Sequence, residues 1–353
     1  MGARGRRETT QKSVINESAN HKAAVRVSVI IPLYNKARHV RRALESVARQ
    51  TLADFEAIVV DDGSTDDSRH VAEKFCRGDA RFRLVAQTNA GPGAARNRGI
   101  TEARAPVLAF LDADDEWSPE YLEEGVRLLE LNGPEVAAVT CGYVEQPGDV
   151  STERLWRARG ISDGLQSVTP DTPPALFVSM LAFMSPCSTM VRAEAVSRWG
   201  GFYERDRCLY AEDAFLWMKI LLNEPVAFSL RPLAAFHRDA AGLSKNLRGA
   251  RPVEPFLDDP REVERACPPH LRALLRRVLA ARAFKTACVL GYWGRWREAR
   301  ALVRRFFVPG SWRLPYYAPA LVCSTPLGAG LGKTWRTMLA LRRGREAASR
   351  IES

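Results

Sequence analysis

Hydrophobic and polar positions follow a repeating rhythm along the first third of the chain. Val27 to Ile31 (VSVII) is a short apolar run ended by Pro32, the pattern of a buried strand. Arg38 to Gln50 then sets Val40, Ala43, Leu44 and Val47 at helical spacing, which predicts an amphipathic helix. Phe55 to Val60 repeats the strand pattern, Asp67 to Arg77 the helical one, Phe82 to Ala86 the strand and Ala94 to Ala103 the helix. Val107 to Leu111 is a fourth apolar run. Alternating strands and helices with short connections predict an α/β fold with a mostly parallel, doubly wound central sheet flanked by helices. In such a sheet the loops that follow the strands gather at one edge, where ligands bind.

The rhythm loosens further on. Ser118-Pro119 supplies an N-cap and a first helical residue for a helix over Tyr121 to Leu131, and Val136 to Val144 reads as another strand. From Gln146 to about Thr172 the chain is rich in Gly, Pro, Ser and Asp and predicts an irregular segment, either an active-site loop or an insert. Ser188 to Val191 is a short strand, and Ala211 to Leu222 a helix that opens on Glu212-Asp213. Pro225 to Leu230 and Leu233 to Phe236 are strand-like and lead to His237. Past Glu254 the style changes to a C-terminal helical extension, with Arg-rich amphipathic helices over Leu271 to Leu290 and Trp296 to Phe307. Leu314 to Gly332 carries no charge, but Pro315, Pro319 and Pro326 break it, so it reads as interfacial or buried rather than spanning.

Charge sharpens this division. Of the net +11, residues 261–353 hold 19 Lys and Arg against 5 Asp and Glu, while residues 27–260 are acidic by 7. Any polyanion-binding role therefore belongs to the ends of the chain, and the body is not expected to bind nucleic acid. The seven cysteines are widely spaced with no CxxC, which gives neither a disulfide framework nor a zinc site and points to a reducing, cytoplasmic compartment. The basic, polar stretch over 1–25 reads as a disordered leader with no signal peptide.

Candidate chemistry concentrates where the apolar runs stop. Val107 to Leu111 ends in Asp112, Asp114 and Asp115, three acids within four positions. Carboxylates this crowded repel unless a positive group sits among them, and a hard divalent cation with oxygen ligands is the natural candidate. The other strand ends carry Pro32-Leu33-Tyr34-Asn35, then Asp61-Asp62-Gly63-Ser64, then a glycine loop running from Asn89 through Gly91 and Gly93 to Arg96.

With these words in view, VSVIIPLYN, VVDDGSTDDS, NAGPGAARNRG and FLDADDEW, the chain resembles the inverting family 2 glycosyltransferases of the nucleotide-diphospho-sugar transferase fold. Glu212-Asp213 before a helix, and Phe236-His237 followed by Leu243-Ser244, resemble later signals of that family. The resemblance covers about residues 25–246 and implies a Rossmann-like, GT-A-type domain over 26–253. Its nucleotide-binding half would be 26–131 and its acceptor half 132–253, with 254–353 as the basic helical extension. It implies transfer of a sugar from a nucleotide-diphospho-sugar, a UDP-sugar first among them, to a saccharide or lipid-linked acceptor hydroxyl in polysaccharide or glycolipid assembly. The cofactor would be Mg²⁺ or Mn²⁺.

The residues fit those tasks. Pro32, Tyr34 and Asn35 would line the base, and Asp62 can accept an N–H from it, although an Asp in a DGS turn also bonds its own backbone. Arg96 sits in the first turn of a helix beside free N–H groups, so it either meets the nucleotide or pairs with a strand-end acid. Asp114 is the expected metal ligand and Asp112 the ribose or metal-water contact; Asp115 faces the donor sugar or caps the next helix, the cap being favoured. By resemblance His237 completes the metal or phosphate site, and Asp213 is the general base with Glu212 second. The helix dipole at Asp213 favours its ionised form. Trp199 and Trp217 line the acceptor side or pack in the core. The basic extension predicts peripheral contact with a membrane. A receiver-like module is excluded because no acidic pair follows the first strand, and a haloacid-type phosphatase because Asp115 follows the DxD. The reading to be tested against the enzyme is a non-catalytic nucleotide-binding or scaffold protein with a degenerate transferase body.

Overall fold

The computed structural model describes residues 25–240, 252–332 and 334. The expected leader and the Leu243-Ser244 signal lie outside the described residues. Strands β1 (Val27–Leu33), β2 (Phe55–Asp61), β3 (Phe82–Ala86) and β4 (Val107–Phe110) alternate with helices α1 (Val40–Ala48), α2 (Ser68–Gly78) and α3 (Pro92–Glu102). These four strands are mutually parallel, in the order β3-β2-β1-β4. β1 runs past Pro32 to Leu33, because beyond Ile30 it pairs only with β2 and the missing proline N–H deprives no β4 partner.

The sheet continues through β9 (Thr189–Arg192), β6 (Ala138–Gln146) and β10 (Val226–His237), with the two-residue β5 (Glu116–Trp117) at its edge. β9 is antiparallel to both β4 and β6, while β10 is parallel to β6. Of the seven strands from β3 to β10 on this path, β9 alone is reversed, so the sheet is mixed. The two strand-like pieces around Pro232 are one strand with register shifts between Phe228 and Ala234.

The segment expected to be irregular is built into the fold. It carries β7 (Val150–Ser151) on β6, helix α5 (Glu153–Ala158) and β8 (Gly164–Gln166) on β10. Asp163 anchors it by accepting the Leu230 N–H at 2.7 Å, at the point where β10 loses its register.

Alternation along the strands makes two cores. Val27, Val29, Ile31 and Leu33 face α1 and α4 (Tyr121–Leu131). Ile30, Ile58, Val60, Leu108 and Phe110 face α6 (Pro174–Phe183), α8 (Glu212–Asn223) and the C-terminal helices. Trp217 is fully buried there against Phe110 and Phe202, in the packing role. Helix Arg272–Tyr292 contributes Leu274, Val278, Phe284 and Leu290 to the same core, and Trp296–Arg305 and Tyr317–Cys323 pack on it. No helix among the described residues is long and apolar enough to cross a membrane.

Candidate active site

The parallel strands bring Tyr34, Asp62, the glycine loop and the three acids after β4 to one edge, and α8 points its first turn at them. The centre is Arg96, only 4% exposed. Its guanidinium donates to Asp112 at 2.7 Å and to Glu212 at 2.8 Å, tying β4 to the start of α8. Burial works against its charge, but Asp112, Glu212 and Asp213 outweigh that and raise its pKa further. The expected pairing with a strand-end acid is present, and Glu212 joins it.

Asp213 stands next to this bridge. Burial, then the Glu212 charge, push its carboxyl up to about 7, against the pull of Arg96. The helix dipole alone favours an ionised group, but here half-burial and a like charge outweigh it. A carboxylate poised there can take and hold a proton at neutral pH. Ala211, immediately before the pair, is held at φ 60°, a left-handed conformation costly for a residue with a Cβ.

The acids after β4 fall to different partners. Asp114 pairs with Lys36, whose ammonium also donates to the Ala240 carbonyl at 3.0 Å. Asp115 accepts the His237 backbone N–H at 2.9 Å, while α4 starts beyond Glu120, so the favoured cap role for Asp115 is not what the fold uses. Burial, then Asp112 and Asp114, push Asp115 up to about 8. Burial and Asp112 also raise Asp114, opposed by Lys36. His237 Nε2 lies 2.8 Å from a Glu116 carboxylate oxygen, a contact that fixes the ring through one of its two nitrogens.

Burial, and then repulsion among the three acids, raises Asp114 and Asp115, and carboxylate oxygens crowded in this way suit a hard divalent cation such as Mg²⁺ or Mn²⁺. Among the described residues, ligand atoms of Asp112, Asp115 and Cys187 converge within 4.8 Å. Burial and the two acids push the Cys187 thiol well up, so it stays protonated and is a poor ligand for such a cation. Its sulfur instead accepts the Asp112 N–H at 3.3 Å.

The nucleotide-side loops are locked to one another. Asn35, at φ 51°, accepts the Thr65 N–H at 2.8 Å and so joins the loop after β1 to that after β2. Asp62 accepts from Gln87 Nε2 and Ala90 N at 2.8 Å each and from Gly91 N at 2.9 Å, joining the loops after β2 and β3. Asn89 accepts from Arg207, and a Cβ at Gly93 would lie 2.2 Å from the Tyr203 carbonyl oxygen. Asp62 is 3% exposed and commits its oxygens to the loop after β3; the bond internal to the DGS turn, from the Ser64 N–H at 3.1 Å, goes to Asp61 instead. Tyr34, by contrast, stands open at the rim.

Sequence reasoning missed Lys36, Cys187 and Glu116. Lys36 had a signal, a cation directly after the first loop. Cys187 had none, because 75 residues separate it from its partner Asp112.

Against known proteins, residues 28–196 match the profile of Glycosyl transferase family 2. That stretch belongs to the family. The Bacillus subtilis protein EpsH is 40% identical over 120 residues, 34% of each chain. The Escherichia coli protein named uncharacterized glycosyltransferase YibD is 45% identical over 144 residues, 39% of this chain and 42% of that one. The alignments thus span well under half the length of these relatives. Among solved structures, S. aureus TarS 1-349 in complex with UDP-GlcNAc superposes with a TM-score of 0.61 at 21% identity, over 88% of this chain and 92% of that one. The mannosyltransferase PcManGT from Pyrobaculum calidifontis, in complex with GDP-Man and Mn²⁺, gives 0.53 at 22%, over 90% and 85%. At these identities the likeness is one of fold, and the GT-A-type architecture is common to all three. The family 2 stretch contains Asp62, Arg96 and the acids after β4; Glu212, Asp213 and His237 lie beyond it.

Proposed function

We propose that the protein transfers a sugar, with inversion, from a nucleoside-diphosphate sugar to an acceptor hydroxyl of a saccharide or lipid-linked substrate, in polysaccharide or glycolipid assembly. The observation that carries the reading is the buried Arg96 bridge, which joins Asp112 after β4 to Glu212 at the start of α8 and so sets Asp213 beside the acids at the strand ends. The nucleotides named with the two superposed structures support a nucleotide-sugar donor, with a UDP-sugar as the first choice and the nucleobase open to test.

In this reading Pro32 and Tyr34 form the wall for the base, and Asp62 and Asn35 hold the loops around it. Asp112 and Asp114 would hold Mg²⁺ or Mn²⁺, with His237, its ring tied to Glu116, completing the metal or phosphate site. Bound there, the cation would neutralise the diphosphate and ease its departure. Asp213 accepts the acceptor proton as the new C–O bond forms on one face of the sugar and the bond to the diphosphate breaks on the other. Arg96 keeps Asp112 and Glu212 fixed while this happens.

The test is a panel of UDP-, GDP- and dTDP-sugars, each with and without Mn²⁺, read by thermal shift and by release of free nucleoside diphosphate. A metal-dependent shift with slow release of the diphosphate from one donor is expected. If no donor shifts the transition under any condition, the reading fails and a scaffold role takes its place.

A further inference from the structure

Large apolar side chains left on the surface are concentrated at one place. Of the fourteen that are exposed among the described residues, eight lie between Trp293 and Leu331. Trp312, Leu327 and Leu331 are 68%, 76% and 61% exposed, with Tyr316, Leu321 and Val322 beside them in sequence. This is too dense to be the ordinary scatter of single surface hydrophobics.

The segment is firmly seated, so its outer side has a defined direction. Ala320 and Ala329 are buried, and a Cβ at Gly291 would fall 2.1 Å from the Cys323 carbonyl oxygen. Backbone therefore meets backbone at the end of helix Arg272–Tyr292. With that inner side fixed, Leu321, Val322, Leu327 and Leu331 are left outside. The stretch from Leu314 to Gly332 has no charged residue, whereas exposed Arg297, Arg300, Arg304, Arg305 and Arg313 precede it.

We infer that this face docks on the surface of an anionic lipid bilayer. Three observations choose that occupant. Leucines and valine provide an apolar face of the depth that enters the acyl boundary. Trp312 and Tyr316 are of the types that settle at the headgroup level. The sequence from residue 261 to 353 carries a net charge of +14, which complements anionic headgroups. The absence of a spanning helix among the described residues makes this a surface contact within them. The inference rests on the transfer reading only in that a lipid-linked acceptor would be met there; the docking is independent of catalysis.

The experiment is flotation of the full chain with phosphatidylcholine vesicles, with and without phosphatidylglycerol. Wild type is expected to float with the anionic vesicles at low salt, to weaken at high salt as the charges are screened, and to bind neutral vesicles far less. Trp312→Ser with Leu327→Ser and Leu331→Ser should lower the bound fraction about tenfold, since these side chains provide the inserted area. Circular dichroism and donor thermal shift of this variant, both unchanged, exclude misfolding; Leu327→Ser alone, with a smaller loss, serves if the triple variant is unstable. If wild type fails to float, or the variants float as wild type does, the assignment is overturned. Neither outcome touches the transfer reading, which is measured without lipid.

Discussion

Asp213 and Glu212 are adjacent in sequence and unequal in surroundings. Glu212 is bound by Arg96 at 2.8 Å, and Asp213 is left with a proton affinity raised to about 7. Asp213→Asn keeps the shape and removes the basicity, so transfer should fall about 10²–10⁴-fold with donor affinity unchanged. Glu212→Gln loosens Arg96 and should be milder; near wild-type transfer by Asp213→Asn beside a dead Glu212→Gln would reverse the roles. A base must be ionised to act. A carboxyl raised to about 7 therefore predicts that kcat/KM climbs with pH through that value, well above the ordinary carboxylate range, and that Asp213→Asn loses this limb. Arg96→Met is a different experiment, because it leaves Asp112 and Glu212 without their shared cation. Removing one member of a fully buried ion pair costs about 3–5 kcal/mol; Glu212 is buried but Asp112 keeps 36% of its side-chain surface, so urea unfolding should show a loss no larger than the lower end of that range.

At the scale of elements, β1 to β4 and the helices between them were legible because β1, β2 and β4 are apolar on both faces, the edge strand β3 keeps a short apolar run, and each helix carries one stripe, and those periods are local. β9 was legible as a strand but not in its direction, because pairing joins Val191 to Leu108 and Ala138, residues far off in sequence. The stretch from Gln146 to Thr172 misled for a related reason. Its two-residue and three-residue strands take their order from β6 and β10, and its Gly and Pro content conceals that dependence. The loops were legible in composition and not in their ties. Asp62 takes three donors from the segment after β3, and losing a buried acceptor that satisfies them costs about 1–3 kcal/mol. Asp62→Ala should raise hydrogen exchange at residues 87–91 and weaken donor binding, leaving exchange in β1 and β4 as it was. Unchanged exchange in that loop would show that its other contacts suffice.

For the whole molecule, the extension past Glu254 is part of the body's core. Phe256, Leu257, Leu274 and Phe284 are buried in one cluster with Phe177 and Trp217. Glu254 is buried too, and accepts from Arg282 at 2.9 Å and Thr286 at 2.7 Å, which pins the first residues of the extension to its long helix. A chain ended at residue 254 would uncover that cluster, and we expect it to be insoluble or aggregated in size-exclusion chromatography; a monodisperse, folded product would contradict this. Composition marked the change of style at this point, because charge is additive along a chain. Packing is not, so whether the extension docks on the body could not be read from the sequence.

The ties among the loops also bear on how such a site can change over generations. Asn35 holds the second loop, Asp62 the third, and Asn89 and Gly93 meet the segment around Tyr203 and Arg207. A substitution in any one of them is felt by the next, so drift on the nucleotide side is expected to proceed by rare, paired replacements. β8 and α5 hang on the other side of the sheet at β10 and take no part in that series. Single replacements there disturb no neighbour in that series. On the transfer reading proposed above, descendants of this chain would be expected to keep their donor nucleotide while the segment around β8 and α5 changes more freely.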